Sequence, residues 1–163
     1  MIHRLRAHLE ALVGERHPFF SPDHLRQTEQ YLCQQFAAAG LTVERQEFEA
    51  MGGLYRNVIG TASPMQTVGG EEGSPLILAA HYDTVEDSPG ADDNASALAV
   101  LLEVAQRIRR RRLRRPVHFV AFSLEEEGLF GSRAYTAHLA AMGQSVYGAA
   151  VLECVGYASD EDG

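Results

Sequence analysis

At 163 residues, with 45% hydrophobic and 22% charged residues, the chain has the make-up of a globular protein that buries one core, not of a disordered one. A formal charge of −8, from 22 acidic against 14 basic residues, gives no basis for a nucleic-acid partner, and an anionic membrane would repel it. The two cysteines, Cys33 and Cys154, lie outside any Cys-x-x-Cys and make no disulfide framework.

Met1-Ile2-His3-Arg4-Leu5 carries charge but no apolar run of signal-peptide type, and no segment has the length of a membrane span. The expectation is a soluble, cytoplasmic protein, with secretion open if the true start lies upstream. Leu5, Leu9, Leu12 and Val13 recur at helical spacing and predict a helix over 3–13, stopped by Gly14. Ser21-Pro22-Asp23 then supplies a cap, a proline at the first helical position and an acidic first turn. Leu25, Tyr31, Leu32, Phe36 and Ala39 continue that second helix to Gly40.

Strand-like runs follow at 41–48 and 54–61, with Val43, Val58 and Ile59 as β-branched bulk. Ser63–Ser74, with Glu71-Glu72, predicts a surface loop. Leu76-Ile77-Leu78-Ala79-Ala80 is apolar without alternation, as in a central strand covered on both faces. Ala97, Leu98, Leu101, Val104, Ala105 and Ile108 predict a helix over about 94–110. A buried strand at 117–124, a helix at 131–142 and an apolar strand at 146–154 complete the order. The whole reads as one α/β domain over residues 1–163, a mostly parallel central sheet with helices on both faces. The run Arg109–Arg112, with Arg114-Arg115, is read as a helix end whose cations complement the dipole, before Pro116 starts a strand.

In an open α/β sheet, functional groups collect beyond the carboxyl ends of the strands. Those ends read His81-Tyr82-Asp83, Glu125-Glu126 and Glu153-Cys154, and Asp92-Asp93-Asn94 adds acids where a helix begins. Singly each has a plain explanation: a capped strand end, a solvated acidic turn, a helix cap. Jointly they place many carboxylates on one sheet edge, where desolvation without a counter-charge is costly and divalent cations resolve the conflict. Asp83, two residues from His81 on one strand face, is placed to buttress the imidazole from its second nitrogen.

The segments HYDT, PGADDNAS and FSLEEEGLFGS resemble the signature of the co-catalytic di-zinc exopeptidases of the bacterial leucyl aminopeptidase type. Relatives of that family include glutamate carboxypeptidase, glutaminyl cyclase and the transferrin receptor ectodomain. The resemblance implies two zinc ions and a peptide substrate. It implies that His81 binds one zinc, Asp93 bridges both, Glu126 binds the second and Glu153 completes the first. Glu125 aligns with the general base and Asp83 with the carboxylate behind the histidine. Asp93 is chosen over Asp92 by its distance from Pro89-Gly90, so the register stays open by one residue. The resemblance also implies a cis Asp93-Asn94 peptide. The implied activity is hydrolysis of amino-terminal residues from peptides; a non-catalytic binding relative and a glutaminyl cyclase-like acyltransferase are the alternatives.

Two departures stand out. Ala97 occupies a position where the family usually has glycine. The family's second zinc takes a histidine from a later strand–loop unit, whereas this sequence ends in Ala158-Ser159-Asp160-Glu161-Asp162-Gly163. His3, His8, His17 and His24 precede the sheet, His118 opens a strand at the far end and His138 falls in a helix, so none is a natural substitute. The expectation is a carboxy-terminally truncated member of the family.

Overall fold

The computed structural model describes residues 1–64, 73–108 and 111–157. Strands β1 (Thr42–Ala50), β2 (Gly53–Ala62), β3 (Leu76–His81), β4 (Val117–Phe122) and β5 (Gly148–Val151) form one sheet in the order β1-β2-β4-β3-β5. Pairings β3–β4 and β3–β5 are parallel, while β1–β2 and β2–β4 are antiparallel. The sheet is therefore mixed, and parallel only in the half that carries the predicted site. For β1 and β2 the reason is local: Met51 (φ 50) and Gly52 (φ 77) close a two-residue turn between Ala50 and Gly53, and a turn that short joins only antiparallel strands.

Helices cover both faces. On one, α1 (Ile2–Leu12), α2 (Pro22–Ala38) and α3 (Ala97–Ile108) bring Leu12, Leu32, Phe36, Leu98 and Leu101 against Val58, Ala80, Phe119 and Ala121. On the other, α4 (Phe130–Ala141) lays Tyr135 and Leu139 against Ile59, Ile77, Ala79, Val120 and Phe122. Alternate residues of β4 thus serve opposite layers, so an unbroken apolar run is what a two-faced burial requires.

The apolar strand expected over 146–154 forms only over Gly148–Val151. Among the described residues β5 pairs with β3 alone, and Val151 is 63% exposed. An apolar run reports strand propensity; whether a neighbour covers it is decided by its place in the sheet order. Ser21 stands at the amino-terminal cap of α2, but its hydroxyl donates to Glu15 Oε2 at 2.7 Å and not to the helix. The predicted loop residues Glu71-Glu72, Arg109-Arg110 of the arginine run and the tail Ala158–Gly163 lie outside the described residues. Among the described residues no helix is long and apolar enough to cross a membrane.

One ion pair ties α1 to α3. Arg4 donates twice to the buried Glu103 carboxylate, at 2.8 Å each, and Arg107 donates to it from one turn further along α3. The Arg4 and Arg107 guanidiniums hold the Glu103 carboxyl down at about 2. A carboxyl depressed by folding stabilises the native state above its unfolded value, and loses that contribution as pH falls towards the folded one. Glu103→Gln is expected to lower the urea midpoint at pH 7, with the gap to the parent closing between pH about 4.5 and about 2. A gap that stays constant over that range would show that Glu103 acts through packing alone.

Candidate metal centre

Because β4, β3 and β5 run parallel, their carboxyl ends share one edge, with β3 in the middle. His81 is the last residue of β3; Glu125 and Glu126 follow β4 by a short turn, and Glu153 lies just past β5. The buried His81 imidazole becomes the hub. Its Nε2 lies 2.9 Å from Asp93 Oδ1, 3.1 Å from Glu153 Oε1 and 3.9 Å from Glu125 Oε2. Its Nδ1 faces Asp83 Oδ1 at 3.5 Å, too long for a good hydrogen bond but close for a charge contact.

Asp83 has a second task that its position on the strand did not reveal. Its two carboxylate oxygens accept the backbone N–H groups of Glu125 and Glu126, each at 3.0 Å. The carboxylate behind the histidine therefore also sets the turn that bears both glutamates. Asn57, fully buried on β2, steadies the same turn: its Oδ1 accepts from Ser123 N at 3.1 Å and its Nδ2 donates to Gly131 O at 2.8 Å.

Asp93 arrives on an irregular turn, Ala91–Ser96, that leaves helical backbone at Asp93 (φ −97, ψ 95) and Asn94 (φ −131, ψ 33). The Asp93-Asn94 peptide is cis, as the resemblance implied. Asn94, read from sequence as part of a helix cap, instead fastens this turn to the segment after β5. Its Nδ2 donates to Leu152 O at 3.0 Å and its Oδ1 accepts from Cys154 N at 3.3 Å. Asp92 points away from His81 and accepts Gly156 N at 2.7 Å. Of the two neighbouring aspartates, Asp93 is the one that meets the imidazole.

Two residues of the α1–α2 loop also reach this edge. His17 puts its Nε2 3.2 Å from Glu127 Oε1, and its Nδ1 accepts from Phe19 N and Phe20 N. Arg16 is fully buried beneath the site. Neither was singled out from sequence for the site, since a lone polar residue between two helices carries no periodic or motif signal.

The electrostatics record the crowding. Burial alone would lower His81, but Asp83 and then Glu153 outweigh it and raise the imidazole to about 9. Burial, and then the charge of Asp93, lifts the Glu126 carboxyl to about 7. Glu153 is likewise raised, by burial first and Asp93 after it, against the pull of His81. Burial brings Arg16 down to about 10, with Asp83 and Asp93 opposing, so it stays charged at neutral pH.

These residues fit a divalent cation. His81 Nδ1 and Asp93 Oδ1 are buried without a hydrogen-bond partner, so the 2.9 Å approach of Asp93 to His81 lacks hydrogen-bond geometry. One nitrogen and two carboxylates, from His81, Asp93 and Glu153, converge with donor atoms within 4.8 Å, and His81, Glu125 and Glu126 form a second such group. Imidazole with carboxylate is a donor set suited to zinc and its neighbours in the first transition row.

Residues 57–160 match the model of Peptidase family M28. The chain is 31% identical over 145 residues to the Escherichia coli protein YfbL, covering 83% of this chain and 43% of that protein. It is 38% identical over 84 residues to aminopeptidase YwaD of Bacillus subtilis, covering 52% of this chain and 18% of the relative. Its fold is similar to that of Porphyromonas gingivalis glutaminyl cyclase, with a TM-score of 0.75 at 24% identity, over 93% of this chain and 57% of that one. The chain thus spans less than half the length of these curated relatives. The family match takes in β3, β4 and β5 and with them every residue that meets His81 at the sheet edge, and on it the chain belongs to peptidase family M28.

Proposed function

We propose that the chain is the metal-binding part of a zinc-dependent aminopeptidase, and that His81, Asp93, Glu126 and Glu153 are its metal ligands. The observation that carries this is the meeting of Asp93 and Glu153 at His81 Nε2, 2.9 and 3.1 Å away, beside a turn that presents two more carboxylates. His81, Asp93 and Glu153 would hold one ion, and Asp93 with Glu126 the other. Two such ions, when bound, supply a polarised carbonyl and an acidified water. The rest falls to the side chains. Glu125, whose backbone N–H is held by Asp83 and whose carboxylate stands further from His81 Nε2 than those of Asp93 and Glu153, takes the proton of the attacking water and returns it to the leaving amine. Asp83 keeps the His81 ring turned towards Asp93 and Glu153 and sets the height of the Glu125-Glu126 turn. The names of relatives such as aminopeptidase YwaD support a peptide with a free amino terminus as the substrate.

Among the described residues the Glu126 side receives no imidazole besides His81, because both nitrogens of His17 are engaged elsewhere. The expected result is at most one tightly held zinc per 163-residue chain, with hydrolysis of an amino-terminal leucyl substrate weak or absent. Zinc content by mass spectrometry after desalting, together with that assay, checks both. Vigorous hydrolysis with two retained zincs would show the metal set to be complete without a further ligand. Cyclisation of glutamine-initiated peptides in place of leucyl hydrolysis would move the protein to acyl transfer.

A further inference from the structure

Arg16 has no part in the chemistry above, yet it is among the largest fully buried side chains of the molecule. Its described hydrogen bonds all go to carbonyl oxygens. Nε donates to Tyr82 O at 2.7 Å; Nη1 donates to Leu12 O at 2.5 Å and Gly14 O at 2.6 Å, with a longer 3.4 Å contact to Pro89 O; Nη2 donates to Gly90 O at 3.1 Å. Its backbone N–H donates to the buried Thr84 hydroxyl at 2.9 Å.

The identity of those carbonyls matters more than their number. Tyr82 stands between His81 and Asp83. Pro89 and Gly90 open the turn that delivers Asp93. Leu12 and Gly14 end α1. One planar fork therefore bolts together the strand end that carries the imidazole and the turn that carries the aspartate. A shift of either segment by an ångström would separate His81 Nε2 from Asp93 Oδ1. The fold also makes room for the fork: Gly90 adopts φ +57, and a Cβ there would collide with the Arg16 guanidinium and the Thr84 methyl. Only a side chain with five donors in fixed geometry satisfies three segments at once, which lysine cannot do. A buried guanidinium without a carboxylate in hydrogen-bond contact is costly unless its charge is used nearby, and the carboxylates that favour its charged form are Asp83 and Asp93.

We infer that Arg16 is a positioning residue for the metal centre, locking the His81-Tyr82-Asp83 strand end to the Pro89–Asp93 turn and offsetting the Asp83 and Asp93 charge from beneath. This rests on the metal-site reading given above. The residue touches no reacting atom; it acts through His81 and Asp93.

The test uses the whole chain with zinc and cobalt(II) as probes. Zinc affinity is measured by chelator competition for the parent, Arg16→Met, Arg16→Lys and Leu139→Ala, with thermal melts on each. Leu139→Ala is the control, since that residue is buried on the opposite face of the sheet. Arg16→Met is expected to weaken zinc binding by about 10- to 100-fold, the usual cost of losing support behind a ligand. It should also alter the cobalt(II) visible spectrum at saturation, while Leu139→Ala lowers the melting temperature with affinity and spectrum unchanged. Arg16→Lys should recover part of the affinity, because it keeps the charge and loses the fork. Parent-like affinity in a folded Arg16→Met overturns the inference, as does a loss that merely tracks melting temperature through the Leu139→Ala control. If Arg16→Met does not fold, Arg16→Lys, which keeps the charge and loses the fork, is judged by the same two criteria. A parent chain that binds no zinc sinks the metal-site reading itself, and the inference with it, which is a different result from a parent that binds and a variant that binds equally well.

Discussion

Glu125→Gln lowers turnover of an amino-terminal leucyl peptide by about a hundred- to ten-thousand-fold and leaves zinc content at the parent level. The size is that of losing a positioned general base. The separation of the two effects follows from geometry. Glu125 Oε2 is 3.9 Å from His81 Nε2, against 2.9 Å for Asp93 and 3.1 Å for Glu153, so the amide exchange removes a proton acceptor without removing a close donor. The turn does not depend on that carboxylate either, since Asp83 holds it by the Glu125 and Glu126 backbone N–H groups. The comparison belongs in a form of the protein that turns the substrate over, with metal analysis on the same samples. Because Glu125 and Glu126 both fall in the second donor group with His81, loss of zinc from Glu125→Gln would make Glu125 a ligand and pass the role of base to its neighbour.

Phe119→Ala destabilises the fold by about 3–5 kcal/mol, the range for emptying an aromatic from a packed core. Phe119 is fully buried on β4, which lies inside the sheet, and its ring stands 6.2 Å from that of Phe36 on α2. It therefore joins the sheet to the helical layer where the residues around it are also inaccessible and collapse least readily. Met142→Ala, at a residue 70% exposed, is the control and should fall within about 0.5 kcal/mol of the parent. Urea unfolding at neutral pH measures both. A loss under about 1.5 kcal/mol for Phe119 would mean that this layer relaxes around the cavity, and that the core is less tightly packed than its burial implies.

The elements were legible because their signals are local. The helical spacing of Leu25, Leu32 and Phe36 and the apolar stretch before His81 each report which side of a segment must be dry, and the structure builds α2 and β3 on them. Local signals do not report partners. The antiparallel pairing of β2 with β4 and the parallel pairing of β5 with β3 depend on which strands meet, and apolarity is the same whichever neighbour a strand takes.

At the site the division is similar. The chemistry on offer was written in the residue types: an imidazole and several carboxylates at the ends of buried strands, a donor set that suits a cation, although the structure leaves the Asp93 and Glu153 side chains half-exposed and only the imidazole buried. The sequence also separated the positions along the chain at which each would appear. That β3 lies between β4 and β5, which turns three strand ends into one cluster around His81, came from strand pairing across the chain. The structure likewise turned Asp92 away to Gly156 and gave Asp83 the glutamate turn to hold. It also carried Arg16 from a loop between helices to the space beneath the imidazole. Residue type and strand register follow from short-range sterics and hydrophobicity, which adjacent residues encode. The supporting contacts join positions such as Arg16 and Gly90, far apart in the chain, and exist only once the strands have paired and the helices have closed over them.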